Sequence, residues 1–369
     1  MSLVTRRNLL AEKTRFAISI GGIALSVFLL SFLLSLFQGW QQSVGRFVER
    51  VEADVWVARE GTTDFLNAAS ILPASMLDEL LVIEGVADVD AMIVRPMNLE
   101  IGEKQEAAHL IGYEVDGGAG GPPAIAKGEE VPGPDGIIIE KTYAKVAGLG
   151  VGDSLVASGR TLEVVGISTG GDFVFSQTVF VSLDTARDML SMNELNTFYL
   201  LHLEPDAAPE EVAADVEQAF EGVSAFTGDE FAEATRDRIM SNIVPILYVI
   251  LFLAFVVGVA ITGLTIYNAT LEKSREFGIL KATGFTNAYL YRLVAEQSLI
   301  TGLLGFLIGA GSTVVATRFI ADFVPQFVTL LRWQDIVLVF VATLLMSAIA
   351  AVMPVRRIAG VDPVAVFKA

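Results

Sequence analysis

The sequence contains no cysteine, only two histidines and few charged residues. Without cysteine, a disulfide framework and a cysteine-ligated metal site are both excluded. Charged residues make up 18% of the 369 residues and hydrophobic residues 53%, which is not the balance of a water-soluble protein. Part of the chain must therefore lie in lipid.

Nucleotide-binding and catalytic motifs are also missing. No G-x-x-x-x-G-K-[ST] loop occurs, and the run GLGVGD at 148–153 lacks the third glycine of a dinucleotide-binding fingerprint. His109 and His202 each stand alone in a strand-like run, which is more typical of a structural or surface histidine than of a haem or metal ligand. We expect no catalytic activity, cofactor or metal in this chain.

Four stretches without Asp, Glu, Lys or Arg are each long enough to cross a bilayer, which takes about 20 apolar residues. They predict membrane-spanning helices over 16–40, 239–271, 297–317 and 336–355. A cleaved signal peptide is the alternative for the first, but the run exceeds the usual signal core of about 7–15 residues and no A-x-A-like site follows. The spans lack the ionisable groups that proton- or ion-coupled transporters usually need. Any transport must be powered from outside the chain.

Basic residues outnumber acidic ones in 1–15, 272–296 and 356–369. Because positive charge collects on the cytoplasmic side of a membrane, these segments and both termini are predicted to be cytoplasmic. Residues 41–238 and the short loop 318–335 are then extracytoplasmic, with the protein in the inner (plasma) membrane of the cell. The first segment mixes leucine with basic residues, which predicts an amphipathic helix on the inner leaflet; an unstructured basic leader is the alternative.

The large extracytoplasmic segment is strongly acidic, since 36 of the 43 acidic residues lie within 41–240. This charge argues against nucleic acid or anionic lipid as its ligand. Its pattern predicts an α+β domain of two lobes, inserted between the first and second membrane helices. The strand-like runs are ADVWVA, ADVDAMIV, MNLEI, AHLIGY, DGIIIE, TLEVVGIS, TVFVSL and FYLLHL, and the helix-like runs are MLDELLVI, KTYAKVAGL, LDTARDML and PEEVAADVEQAF.

The second membrane helix is predicted to begin well before the apolar stretch. The run TGDE at 227–230 has the form of a capping box, in which two side chains satisfy free amide groups at a helix start. A helix from Gly228 to Leu271 would be about 66 Å long, roughly twice the thickness of the hydrocarbon core. Pro245 would either kink this helix or break it in two.

The loop between the second and third spans is the strongest local signal. A charged start, a turn at Gly284 and an amphipathic stretch predict a short helix over 286–294 that lies across the membrane face. Arg292 would steer it towards acidic groups of a cytoplasmic partner. The side chains predicted to contact that partner are Ala288, Leu290, Tyr291 and Val294.

In the third span, Gly305 and Gly309 form a small-xxx-small pair. Such pairs let two membrane helices approach closely. Glycine is also frequent in membrane helices without such a role.

The segment REFGILKATGF resembles the REIGILKALGA-type segment of FtsX-like permeases, a group that includes MacB, lipoprotein-releasing permeases and DevC- and HrtB-type exporters. This sequence departs from it at Phe277, Thr283 and Phe285. The opening RRNLLAEKTR, the runs VGDSLVASGRTLEVVGI and TVFVSLDTARDML, and the closing PVRRIAGVDPVAVFKA resemble the corresponding parts of the family. The run ADVWVAREGTTDF suggests the DevC and HrtB branch.

The resemblance implies the permease subunit of a type VII, MacB-like ABC transporter, present as a homodimer or a pair of related permeases with two copies of a separate cytoplasmic ATPase. It adds Glu276, Gly278, Lys281 and Gly284 to the residues expected to couple to that ATPase. The expected function is export or extraction of an amphiphile such as a lipid, lipoprotein, haem or hydrophobic drug, with a membrane-fusion or other periplasmic protein as a further partner. The alternative is mechanical signalling to a partner such as a peptidoglycan hydrolase, without transport.

Overall fold

The computed structural model describes residues 13–44, 46–66, 70–102, 104–170, 177–272, 274–323 and 328–359. The predicted helix over 1–15 and the tail over 356–369 lie mostly outside these residues. The helices are α1 (Lys13–Ser43), α2 (Arg46–Arg50), α3 (Met76–Leu80), α4 (Lys141–Ala147), α5 (Leu183–Leu190), α6 (Pro209–Ala219), α7 (Gly228–Glu272), α8 (Ser274–Ala282), α9 (Asn287–Phe323) and α10 (Trp333–Ala359).

The strands are β1 (Val55–Arg59), β2 (Leu72–Pro73), β3 (Val86–Ile101), β4 (Lys104–Tyr113), β5 (Ile125–Gly128), β6 (Gly136–Glu140), β7 (Ser154–Ala157), β8 (Arg160–Ser168), β9 (Gln177–Ser182), β10 (Leu195–Asn196), β11 (Phe198–Leu203) and β12 (Val223–Thr227). The chain forms two compact units. One contains the residues up to Gly39 and those from Val244 onward, and the other is Trp40–Ile243.

The first unit contains helices that are long and apolar enough to cross a membrane, together with the nine-residue helix α8. Four such segments occur in the described chain, and they confirm the predicted number of spans: Phe16–Arg50, Gly228–Asn268, Asn287–Ile320 and Trp333–Val352. Ile23 and Val27 of α1 pack with Ala254 of α7 and with Val339 and Met346 of α10. Phe306 and Ala310 of α9 pack against the same cluster, which therefore joins all four spans.

Some of the hydroxyl groups within the spans donate to backbone carbonyls. Thr313 donates to the Gly309 carbonyl at 3.0 Å, one turn earlier in α9. Ser298 of α9 donates to the Ser347 carbonyl of α10 at 2.7 Å, a buried bond between two helices. In a bilayer no water replaces such partners, so these bonds are what make the polar side chains tolerable.

The second unit is built on one ten-stranded sheet with the order β12-β1-β11-β3-β4-β9-β6-β8-β5, and β7 pairs with both β3 and β8. The two-lobe prediction differs from this arrangement, because the 16-residue strand β3 runs through both halves. Its residues 86–92 pair with β11 and its residues 93–101 pair with β4. The predicted α+β class and the predicted helices α3 to α6 are confirmed.

Both faces of this sheet are covered. Val55 and Val57 of β1 point into the cluster that contains the buried faces of α3, α4, α5 and α6. Trp56 points to the opposite face, where its ring centroid lies 5.1 Å from that of Phe231 and 5.7 Å from that of Phe198. Complete burial of one such aromatic side chain is worth about 1.5–3 kcal/mol.

The predicted capping box is present at the start of α7. The Thr227 amide donates to the Glu230 carboxylate at 2.9 Å, and the Glu230 amide donates to the Thr227 hydroxyl at 3.3 Å. The helix then continues for 45 residues with Pro245 inside it. Of the two alternatives, one continuous helix is the one observed.

Candidate functional site

The turn after α8 is fixed by backbone hydrogen bonds. The Phe285 amide donates to the Leu280 carbonyl and the Gly284 amide to the Lys281 carbonyl, both at 3.0 Å, which is the Schellman pattern of a helix end. Gly284 has φ +96°, in the region where side chains are strained. A Cβ at this glycine would meet no atom within 4 Å, so backbone conformation rather than space requires glycine here.

The chain after this turn enters α9 directly. Thr286 caps the helix, because its hydroxyl accepts from the Tyr289 amide at 3.4 Å. The sequence predicts a short helix over 286–294 and a separate span over 297–317, but the structure has a single helix, Asn287–Phe323. No glycine or proline occurs between Asn287 and Thr301, so nothing in the sequence stops the first turns from continuing into the span.

The burial of the predicted contact residues also differs from expectation. Leu290 is 0% exposed and Val294 is 2% exposed, and both pack with Ile266 of α7 and Ala351 of α10. Tyr291 is half-buried against the same cluster. Leu290 and Val294 therefore stabilise the chain's own fold and are not free to enter a groove on a partner.

Other predicted residues are exposed around the turn. Glu276, Gly284, Ala288 and Arg292 are exposed, Lys281 is half-buried, and Gly278 is buried. Arg292 Nε donates to the carboxylate of Glu296, one turn further along α9, at 3.1 Å. Its positive charge is therefore partly neutralised by an ion pair within the helix.

Sequence reasoning missed two apolar side chains at the same turn. Ile279 and Phe285 are each 44% exposed, and the Phe285 ring centroid lies 4.8 Å from that of Tyr289. Phe285 departs from the family segment, and this departure was the one sign in the sequence that could have pointed to it. Together with Ala282 and Ala288 they form what we call the exposed apex (Ile279, Ala282, Phe285 and Ala288).

The two glycines of the third span lie against α1. A Cβ on Gly305 would lie 2.6 Å from the Cβ of Ile23, and one on Gly309 would lie 2.5 Å from the Ala24 carbonyl oxygen and 2.7 Å from the Cβ of Val27. Real Cβ contacts are not this short. The helices approach here at a distance that only glycine permits.

The histidines of the α+β unit form hydrogen bonds with other residues of the same unit. His109 Nε2 lies 3.2 Å from the Leu66 carbonyl oxygen, and burial lowers the pKa of His109. His202 Nε2 lies 2.8 Å from Asp90 Oδ2, which also accepts from the Ala119 amide at 2.7 Å. Over the described residues, no three His, Asp or Glu side chains are grouped so as to hold a metal ion.

Asp90 and His202 line a cleft of about 550 Å³ together with the glycine-rich segment 117–121. Beside it, Glu114 accepts from the Ala91 amide at 3.1 Å. Burial, followed by the nearby Asp90 charge, raises the pKa of Glu114. Burial also raises the pKa of Tyr113 to about 12. The Asp90 carboxylate anchors the glycine-rich segment to the sheet, because it accepts from the Ala119 amide.

The architecture defines a class, namely a membrane protein in which four apolar helices carry an α+β domain between the first helix and the rest. The family model of the MacB-like periplasmic core domain matches residues 16–219, and that of the FtsX-like permease C-terminal region matches residues 248–363. The chain belongs to the FtsX-like permeases that carry a MacB-like periplasmic core domain. It is an ABC transporter permease of the MacB, FtsX and LolC type.

Two uncharacterized ABC transporter permeases of Mycobacterium tuberculosis align with the whole chain. One is 22% identical over 374 residues and the other 24% identical over 375 residues, each alignment covering 100% of this chain and 99% of the relative. The lipoprotein-releasing system transmembrane protein LolC of Haemophilus influenzae is 29% identical over 127 residues, or 32% of each chain.

Two solved structures resemble the α+β part. The periplasmic region of MacB from Actinobacillus actinomycetemcomitans has a TM-score of 0.38 and 11% identity, covering 50% of this chain and 94% of that one. The extracellular domain of the ABC-type transporter YknZ from Gram-positive bacteria has a TM-score of 0.36 and 15% identity, covering 47% and 100%.

Proposed function

We propose that this chain couples ATP hydrolysis by a separate ATPase subunit to conformational change outside the cytoplasm, and that the exposed apex is the docking site for that subunit. The observation behind this proposal is the pair of apolar side chains, Ile279 and Phe285, held in the open on a rigid turn. Apolar groups presented in this way on an ordered element are typical of binding surfaces. The chain itself supplies no catalytic group to the hydrolysis.

The packing behind the exposed apex supports a mechanical role. Leu280 of α8 and Tyr289 of α9 pack on the buried cluster that holds Leu290, Ile266 and Ala351. A close-packed cluster transmits displacement, because its compressibility is low. A push on the turn would therefore move the ends of α7, α9 and α10 together.

The proposed complex contains two ATPase copies and two permeases, either identical or related, in the inner (plasma) membrane with both termini in the cytoplasm. The substrate is an amphiphile that is exported or extracted, and a membrane-fusion or other periplasmic protein is a further candidate partner. Support comes from the family assignment and from LolC, whose name describes a lipoprotein-releasing system.

The docking test uses the chain co-expressed with the proposed ATPase subunit. Ile279→Asp and Phe285→Ala should each weaken the complex, about thirtyfold if either side chain is a binding hot spot worth about 2 kcal/mol. Leu299→Ala, which removes a 53% exposed side chain further along α9, is the matched control and should bind normally. Wild-type affinity in both apex variants would refute the docking site.

The same complex distinguishes transport from signalling. Stimulation of ATP hydrolysis by an added amphiphile supports export, whereas stimulation only by a periplasmic protein partner would instead support mechanical signalling. The purified chain without the ATPase should show no hydrolysis.

The topology is tested with reporter fusions. Fusions after Glu12, within 117–121, after Lys281 and after Lys368 should report inside, outside, inside and inside, because basic residues flank the cytoplasmic ends of the spans. An outside signal after Lys281 would contradict both the orientation and the docking site.

A further inference from the structure

The membrane unit contains a cavity of about 570 Å³ between α1, α7 and α10. This volume lies within the range of about 300–1,000 Å³ that is typical of pockets for drug-sized ligands. Its lining residues are Leu30, Leu34, Phe37 and Gln38 of α1, Val244, Leu247, Tyr248, Leu251, Phe252 and Phe255 of α7, and Asp335, Leu338, Val339 and Ala342 of α10.

The cavity is polar at one end and apolar along the rest. Gln38 and Asp335, whose side chains meet, mark the polar end. From there Leu34 and Leu30 follow along α1, while Val339 and Ala342 follow along α10. The distance from Gln38 to Leu30 along α1 is about 12 Å at 1.5 Å per residue. The cavity therefore has the polarity profile of an amphiphile, with one head group and one apolar tail.

Two acceptor atoms at the polar end have no hydrogen-bond donor among the described residues. Asp335 is only 7% exposed, and its Oδ1 accepts one long bond, 3.4 Å, from Gln38 Nε2. Within the described part of the chain, neither Asp335 Oδ2 nor Gln38 Oε1 has a hydrogen-bond partner, although both atoms are buried. A buried carboxylate without a partner is strongly unfavourable. The sequence places Asp335 in the loop 318–335, and only the packing of α1 on α10 reveals its burial.

Asp335 lies in the first turn of α10, which partly explains why an acidic residue is found at this buried position. An acidic side chain near a helix N-terminus interacts favourably with the helix dipole. That interaction does not supply a donor for Oδ2, and it does not account for the apolar space that extends from the carboxylate. A bound positively charged donor accounts for the first feature, and an apolar tail attached to it accounts for the second.

We propose that this cavity binds a single-chain amphiphile with a protonated amine head group. The amine lies at the polar end beside the side chains of Asp335 and Gln38, and the tail lies along Leu34, Leu251 and Val339. This inference rests on the proposed function for its general substrate class, the amphiphiles, and adds the head group and the site. An anionic head group would meet the Asp335 carboxylate and be repelled.

The test uses the full chain without the ATPase, in phosphatidylcholine nanodiscs, and an alkylamine that carries a photoreactive diazirine on its tail. Labelling should map to cavity residues of α7 and α10, and dodecylamine should compete while dodecanoate should not. Asp335→Asn should weaken labelling at least about tenfold, which corresponds to about 1.4 kcal/mol. It keeps the shape of the side chain and removes its charge.

Two tryptophan variants control for position. Ala342→Trp fills the apolar part of the cavity and should abolish the labelling. Val341→Trp places the same side chain at the neighbouring residue, which is 47% exposed, and should leave labelling unchanged. Thermal unfolding of each variant shows whether the fold is retained.

Three results would overturn the proposal: equal labelling of Asp335→Asn and the wild type, equal competition by dodecanoate, and labelling confined to outward-facing residues. The labelling is repeated in phosphatidylethanolamine nanodiscs. If labelling is lost there, a membrane lipid occupies the cavity, and the proposal of a single-chain ligand is contradicted. Because the ATPase is absent, failure here leaves the docking site untouched, and failure of docking leaves the labelling result valid.

Discussion

Replacing Gly309 with alanine introduces a methyl group where α9 touches α1. The new Cβ would lie 2.5 Å from the Ala24 carbonyl oxygen and 2.7 Å from the Cβ of Val27. Ordinary contacts between carbon atoms are about 3.5–4.0 Å, so the two helices would have to separate by about 1 Å. Overpacking of this kind typically costs 1–3 kcal/mol.

Alanine also has a higher helix propensity than glycine, by about 1 kcal/mol, which partly offsets the clash. Gly311 separates the two effects, because it lies two residues further along α9 and a Cβ there would meet no atom within 4 Å. Gly311→Ala gains the same propensity without the contact. The difference in unfolding free energy between the two variants, expected to be about 1–3 kcal/mol, therefore measures the helix contact alone.

The assay is reversible unfolding of the two variants in mixed detergent micelles, with the same protocol for the wild type. Gly309→Ala should unfold at a lower denaturant concentration than Gly311→Ala, with an unchanged slope. Equal stability of the two variants would show that α1 and α9 do not approach closely at Gly309, and the described packing of the spans would be wrong.

Three further variants test other contacts. Leu290→Ala should destabilise the chain by about 2–5 kcal/mol in a denaturant titration, because it empties a fully buried site; a neutral effect would indicate that Leu290 is exposed after all. Thr227→Ala removes the hydroxyl that accepts from the Glu230 amide and should cost about 0.5–2 kcal/mol in the same titration. The pKa of Glu114 is raised in the folded chain, so stability should fall as the pH rises from the unfolded pKa through the folded one. Glu114→Gln should remove this pH dependence while keeping an acceptor for the Ala91 amide, and identical pH profiles would contradict the assignment.

The features that could be predicted correctly are those that depend on local sequence. Membrane spans follow from the length of apolar runs, and the strands and short helices follow from alternation and helical period. The capping box at Thr227 involves residues only three positions apart. None of these requires knowledge of what lies on the other side of a side chain.

The burial of the residues expected to couple to the ATPase could not be predicted, for the opposite reason. An amphipathic pattern shows that Leu290 and Val294 share an apolar face, but not whether the same chain or a partner covers it. The tertiary structure covers that face with Ile266 and Ala351 and leaves Ile279 and Phe285 exposed. The same applies to the sheet, where β3 pairs with the distant strand β11 as well as with the neighbouring strand β4, and this makes one domain of two predicted lobes.

By itself, the sequence determined the class of protein, the number of membrane helices and the position of the α+β domain between the first two, because apolar length and strand alternation are properties of each segment alone. Only the tertiary structure decided which apolar side chains remain exposed at the turn after α8, and that Asp335 is buried. Both depend on contacts between residues far apart in the chain, such as Asp335 with Gln38, and the free energy of such contacts is set by the packing of whole helices.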